Sequence, residues 1–303
     1  MKEYKYSDGI GSFSAGDGKQ PPKPRRYTII QSLWTKPCSK EKLQKTMFIC
    51  ALSLAYAHRS GYRVHMHTDS RGVELLKNFG YERLLPTLDK IPNSVPTDLF
   101  AAGKFYAMEA EGRVGKVHID VDVFLKRPIL DRFYTDSRID AICQQEEDMQ
   151  HIDHSDKIKH MHVLGYPPTT RPNWKGSMNT GTVGFNNAEL ANKYFDNYFD
   201  ALKMYTADKF KKYKEKHGYQ YLLFDFILEQ IELSYLSVGY NVYTLIPSKE
   251  YSFVADKIGY QHMQGSWKWS DERQEIIKLY LMNTDKKLFD AAVRAAEVLE
   301  NEG

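Results

Sequence analysis

Val117-His118-Ile119-Asp120-Val121-Asp122-Val123-Phe124-Leu125 is the stretch whose reading decides the fold. It reads as a buried β-strand that ends on two carboxylates. Side chains alternate faces along an extended chain, so Asp120 and Asp122 are expected to point the same way. In an open α/β sheet, the carboxyl end of such a strand borders the ligand crevice. Two carboxylates there repel and are costly to desolvate, which calls for a cation between them. A divalent ion shared with substrate phosphates meets that need. Two surface aspartates at a strand end is the plainer reading, and Asp-x-Asp alone does not decide between the two.

Upstream, Tyr27 to Trp34 reads as a strand, and Pro37 and Ser39 open a helix. Leu43, Met47, Cys50, Ala51, Leu54 and Ala55 recur along it at helical spacing, and Gly61 closes it. Tyr62 to His67 is a second strand, ending in Thr68-Asp69. Such a β-α-β unit implies parallel strands with a right-handed crossover. Both strands end in polar residues, where a nucleotide can be met, although an Asp at this place is more often a turn residue. Arg71 to Phe79 reads as a short helix. Asp98 to Glu111 reads as a helix leading into the Asp-x-Asp strand, and the plain reading of its Lys104 is a solvated face.

Downstream, Arg138 to Cys143 reads as a strand. Glu146 to Ser177 reads as a long irregular stretch, expected as the acceptor-side wall. It carries His151, His154, His160 and His162, whose spacing matches no structural zinc pattern. Met178 to Asn186 is a glycine-interrupted strand, a sign that a ligand or another backbone comes close. Asn187 to Tyr205 is an amphipathic helix. Lys209 to Lys216 holds five lysines in eight residues, read as a solvated helix face. Tyr219 to Leu236 is an apolar helix carrying Asp225 and Glu229 four residues apart on one face. Buried acids need partners, and a site role and an interhelix ion pair are equally open for them. Val242 to Ile246 is a late strand, and Asp271 to Glu300 reads as one or two surface helices.

The 303 residues suffice for a substantial core, and a net charge of +3 is too small to indicate a nucleic-acid partner. The three cysteines are scattered with no Cys-x-x-Cys pair, which suits a reducing compartment. Met1 to Gln20 has no apolar core segment, and the longest apolar run, Met47 to Ala57, is too short to span a bilayer. A cytoplasmic protein without a transmembrane segment is expected, with peripheral membrane contact left open. Residues 1–26 read as a flexible lead-in, 27–270 as one domain and 271–303 as a helical extension packed on it.

Four pieces then stand in one order. They are the β-α-β start, the strand ending Asp120-x-Asp122, the segment Asn179-Thr180-Gly181, and a late His262-x-x-Gly265-x-x-Lys268. Asp120, Asp122 and His262 make a ligand set of oxygens plus one imidazole that suits Mn²⁺, with Mg²⁺ as the alternative. The ion would bridge the phosphates of a diphosphate leaving group. Gly265 would let the backbone approach them, and Lys268 would add a point charge.

This layout resembles the GT-A fold glycosyltransferases, above all the retaining family that includes glycogenin and the lipopolysaccharide galactosyltransferases. The resemblance covers roughly residues 27–269. It implies a Rossmann-like, mixed but mainly parallel sheet flanked by helices, with C-terminal helices added here. It implies a nucleotide-diphospho-sugar donor, a UDP-sugar favoured, and a glycan, lipid-linked or protein acceptor. It implies Asp120, Asp122 and His262 at the metal, with Asp120 also at the ribose. Lys268 would meet the diphosphate, and Asn179 and Gly181 the donor sugar. Lys104 stands where the family carries a basic residue near the donor, more often Arg. Gln31, Ser32, Trp34 and Asp69 would border base and ribose. Retention needs no general base; an inverting reaction would make Glu229 or Asp225 the candidate. The sequence departs from the family in following Lys268 with Trp269-Ser270 rather than Pro-Trp, and in opening the acidic strand with His118-Ile119 rather than Tyr-Leu. Two other classes compete. One is a haloacid-dehalogenase-like phosphatase with Asp120 as nucleophile. The other is a sugar-nucleotide binding protein without turnover.

Overall fold

The first strand, β1 (Thr28–Leu33), carries apolar residues on both faces, and both need cover. Ile29 and Leu33 face one core cluster and Ile30 the other. The first cluster is closed by the helix Lys40–Arg59, capped at its start by Ser39, and the second by the helix Ala102–Glu111. The computed structural model describes residues 27–148, 155–163, 165, 168–171, 173–205, 207–217, 223–247, 251–263 and 265–302. The expected lead-in 1–26, His151, His154 and the opening of the helix expected from Tyr219 lie outside the described residues.

The remaining strands are β2 (Arg63–Thr68), β3 (Arg83–Leu85), β4 (Lys116–Ile119), β5 (Val123–Leu125), β6 (Ala141–Asp148), β7 (Gly176–Phe185), β8 (Val242–Thr244) and β9 (Tyr260–His262). Seven of them form one sheet in the order β3-β2-β1-β4-β7-β6-β8. The β3-β2-β1-β4 pairs are parallel, β7 runs antiparallel to both β4 and β6, and β8 is parallel to β6. The expected architecture is the one observed: a mixed, mainly parallel α/β sheet between helices. The helices Asp271–Thr284 and Lys286–Asn301 at the C-terminus bury Ile277, Leu281, Leu288, Ala292 and Leu299 in the cluster of helix Lys40–Arg59. No helix among the described residues is long and apolar enough to cross a membrane.

Three expectations are corrected. The acidic stretch is not one strand. β4 stops at Ile119, a turn closed by the Val123 amide on the Asp120 carbonyl (3.0 Å) follows, and β5 leaves the main sheet to pair with β9. The turn, not strand alternation, brings the two aspartates together. β6 runs on to Asp148, past the Cys143 end expected for it, because β7 begins at Gly176 and pairs with the extra residues. The stretch read as irregular also contains a helix, Ser155–Val163.

Candidate functional site

The turn between β4 and β5 presents Asp120 and Asp122, and β9, paired to β5, sets His262 opposite Val123. One ligand atom from each of Asp120, Asp122 and His262 lies within 4.8 Å of the other two. The Asp120 amide donates to the Gly181 carbonyl of β7 (2.9 Å), and the Met263 amide donates to the Asp122 carbonyl (3.0 Å). Backbone therefore fixes both ends of the turn. Two carboxylates and an imidazole form a donor set that can hold a divalent ion such as Mn²⁺ or Mg²⁺.

Each aspartate has its own lysine. Lys104, on helix Ala102–Glu111, is buried, not solvated. Its Nζ lies 3.1 Å from Asp120 Oδ1, donates to the Thr180 carbonyl at 2.7 Å and pairs with Glu229. Lys268 pairs with Asp122. Glu229 also accepts from Thr180 Oγ1 (2.6 Å), and its backbone carbonyl accepts from Tyr194 Oη (2.9 Å). It sits in a π-helical segment, Ile227–Ile231, between the α-helical turns Leu223–Phe226 and Glu232–Leu236. An inserted π-turn shifts side chains around the axis and is frequent at functional sites. Glu229 makes the interhelix ion pair, with Lys104, which itself touches Asp120.

The charges separate the two aspartates. Burial pushes Asp120 up, and Asp122 and Glu229 add to that against the pull of Lys104. Burial also acts on Asp122, but His262 and Lys268 outweigh it and hold that carboxyl well below the usual range. Burial would lower Lys104, yet Asp120 and Glu229 hold it above the ordinary lysine value. Burial, then Lys104, keeps His118 far below the usual imidazole range, so it is neutral; its Nε2 meets Ser32 Oγ at 2.9 Å.

The other expected residues divide. Asn179 Oδ1 accepts from the Gly181 amide (3.0 Å) and its Nδ2 donates to Glu147 (2.9 Å). A Cβ on Gly181 would stand 2.6 Å from the His262 ring. Gly265 has φ of 80°, the left-handed region that favours glycine, and leads into a short 3-10 turn carrying Lys268. Ser32 reaches the cluster through His118, whose Nδ1 is 3.7 Å from Asp120. Trp34 is buried in the second core cluster. Gln31 is fully buried on the opposite face of β1, donating to Ser53 Oγ (2.8 Å). Asp69 spends its carboxylate on Thr35, Lys36 and Gly72 and caps the helix Ser70–Leu76. Sequence reasoning missed Gln144, whose Oε1 accepts from His262 Nδ1 and Tyr260 Oη, each at 2.7 Å. It also missed Thr180, although that residue stands inside the Asn179-x-Gly181 segment.

Among solved structures, the chain is similar to the apo form of mouse xyloside xylosyltransferase 1, at 12% identity and a TM-score of 0.36, over 72% of this chain and 84% of that one. It is similar to an active-site mutant of LgtC at 11% identity and a TM-score of 0.40, over 84% and 95%. It is also similar to the glycosyltransferase GlyE of Streptococcus pneumoniae TIGR4 at 10% identity and a TM-score of 0.39, over 89% and 64%. No curated protein matches the sequence. The functional reading therefore rests on the side chains above. A family profile matches residues 27–294, and the chain belongs to that family, DUF6734, a family of unknown function.

Proposed function

We propose that this chain is a metal-dependent glycosyltransferase that moves a sugar from a nucleotide-diphospho-sugar, a UDP-sugar favoured, to a hydroxyl acceptor with retention. The observation that carries the reading is the convergence of Asp120, Asp122 and His262, from a turn and a distant strand, with Lys268 beside them. When bound, a divalent ion supplies positive charge to the departing diphosphate. Asp120, Asp122 and His262 hold it. Lys268 exchanges part of its contact with Asp122 for the diphosphate, at the place where Gly265 opens the backbone. Asn179 and Gly181 border the donor sugar, and Ser32, Trp34 and the ends of β1 and β2, with Gln31 and Asp69 behind them, shape the nucleotide side. Glu229 holds Lys104 against Asp120. Only an inverting reaction would ask it to act as a base. Glycan, lipid-linked glycan and protein are the acceptor classes such a site serves. The phosphatase alternative is less well supported, because Asp-x-Asp follows the fourth strand and its third partner is an imidazole.

The test is a thermal-shift screen of UDP, GDP and their sugar derivatives, each with and without Mn²⁺, on the wild type and Asp122→Ala. A ligand that binds only the native state raises the melting temperature by mass action. One nucleotide is expected to raise it by several degrees only when metal is present, and Asp122→Ala is expected to lose that response while keeping its fold. Stabilisation by beryllofluoride with Mg²⁺, and by no nucleotide, would replace the transferase by the phosphatase.

A further inference from the structure

Gln144 is fully buried, lies outside every motif, and stands at an irregularity of the sheet. The pairing of β6 with β7 shifts register between Cys143 and Gln145. The extra residues lie on β7, where Thr180, Gly181 and Thr182 stand opposite Gln144 alone, and bulges concentrate beside functional sites. Gln144, two residues after Ile142, reaches β9 on the face of β6 that Ile142 also covers. An amide oxygen can only accept, so the 2.7 Å contact between Gln144 Oε1 and His262 Nδ1 needs a proton on Nδ1. Tyr260 Oη, itself 3.0 Å from Thr182 Oγ1, donates to the same oxygen at 2.7 Å. The arrangement leaves Gln144 Nε2 buried without a partner among the described residues. Gly181 makes the meeting possible, since a Cβ there would stand 2.6 Å from both Gln144 Oε1 and His262 Nδ1.

With the proton on Nδ1, the Nε2 lone pair points toward Asp122 Oδ1, 3.4 Å away. We infer that Gln144 is a positioning residue: its amide oxygen holds the His262 proton on Nδ1 and thereby turns Nε2 to the metal side. The partner of a metal-binding histidine's other nitrogen fixes its tautomer and orientation. The tautomer assignment stands on the hydrogen bonds alone; its consequence for metal rests on the proposed function.

The experiment has two arms, run on the wild type, Gln144→Leu and Gln144→Glu, with Gln144→Met as the second apolar variant if Leu prevents folding. The first arm reads the imidazole tautomer of metal-free protein by two-bond ¹⁵N–¹H correlation at pH 9, well above the ordinary imidazole range near pH 6.5. The His262 signals are identified by their loss in His262→Gln. The second arm reads Mn²⁺ affinity from the paramagnetic resonance signal of the free ion. Expected are Nδ1–H in the wild type, a move to Nε2–H in the apolar variant, and Mn²⁺ affinity lower by about 10–100-fold. Gln144→Glu, which keeps an acceptor, is expected to retain both. Nε2–H in the wild type, or an apolar variant with tautomer and affinity unchanged, overturns the inference. A tautomer that moves as expected in a wild type that takes no Mn²⁺ supports the role of Gln144 and sinks the metal reading instead.

Discussion

The two halves of the sheet contribute differently to the site. The parallel half, β3-β2-β1-β4, is regular, and its last strand ends where the aspartate turn begins. The other half, β7-β6-β8, which holds the antiparallel strand β7, carries the irregularities, together with the helix packed over it. These are the bulge of β7 opposite Gln144, the glycine at 181 within it and the π-turn at Glu229. The parallel half places charge, and the other half orients it. Irregular geometry is kept where a side chain must point somewhere that a regular element would not send it.

The contrast is sharpest at Lys104, which ties the halves together. Lys104→Met leaves Asp120 and Glu229 facing each other without their cation. Breaking a buried pair from one side costs about 3–5 kcal/mol, because an uncompensated charge remains. Urea denaturation is expected to show a loss of that size, and Lys104→Met/Glu229→Gln is expected to recover much of it. A double-mutant cycle reads the coupling directly. If the single variant matched the wild type within about 0.5 kcal/mol, the typical error of additivity, the halves would be independent.

The same contrast marks what the sequence disclosed. The strand-helix-strand start was legible because local periodicity produces it: β1 lies within Tyr27 to Trp34, and helix Lys40–Arg59 buries the expected stripe from Leu43 to Ala55. Asp120, Asp122 and His262 were legible because few residue types hold a metal. From its helix alone Lys104 reads as solvated, because its partner Glu229 lies 125 residues away. Gln144 carried no signal, since its meeting with Tyr260 and His262 arises from how distant strands come together rather than from any one of them. The pairing of β5 with β9 was hidden for the same reason, and it carries His262 to the aspartates.

Asp225 gives a pH test of the buried side. It is fully buried and accepts from the Ala101 amide and Tyr198 Oη, each at 2.7 Å. Burial, reinforced by Glu229, pushes it up to about 7. Its folded pKa thus lies above the unfolded value of about 3.9, so the native state keeps a proton that the unfolded chain has lost between these limits. Stability from this group is full below about pH 4, falls as pH rises toward 7, and is level above. At about 1.4 kcal/mol per unit, a shift of about three units makes the loss on the order of 4 kcal/mol. Asp225→Asn removes the titration, and the Tyr198 hydroxyl can rotate to accept from the new amide. The difference between variant and wild type in urea stability is therefore expected to grow in the variant's favour from pH 4 to pH 8. A pH-independent difference would mean that Asp225 ionises normally.

A pair of glycine substitutions gives the smallest effects and the cleanest sign. Gly103 lies in helix Ala102–Glu111 on the parallel side, where an added Cβ would meet Leu88 Cδ1 at 3.4 Å and Trp34 Cβ at 3.5 Å, ordinary contact distances. Alanine is the better helix former by about 1 kcal/mol, so Gly103→Ala is expected to stabilise by up to that amount. Gly181 has no left-handed backbone to protect, and alanine is favoured over glycine in a strand by roughly 0.5–1 kcal/mol. Any loss in Gly181→Ala must then come from the 2.6 Å approach to Gln144 and His262. Overpacking of this kind costs about 1–3 kcal/mol, and relieving it requires the His262 ring or the Gln144 amide to move. Opposite signs for the two substitutions in urea denaturation, with Mn²⁺ affinity reduced only in Gly181→Ala, are the expected result. Equal signs would mean that the half holding β7 yields as readily as the parallel one, and that its close approach at Gly181 does not fix the ring.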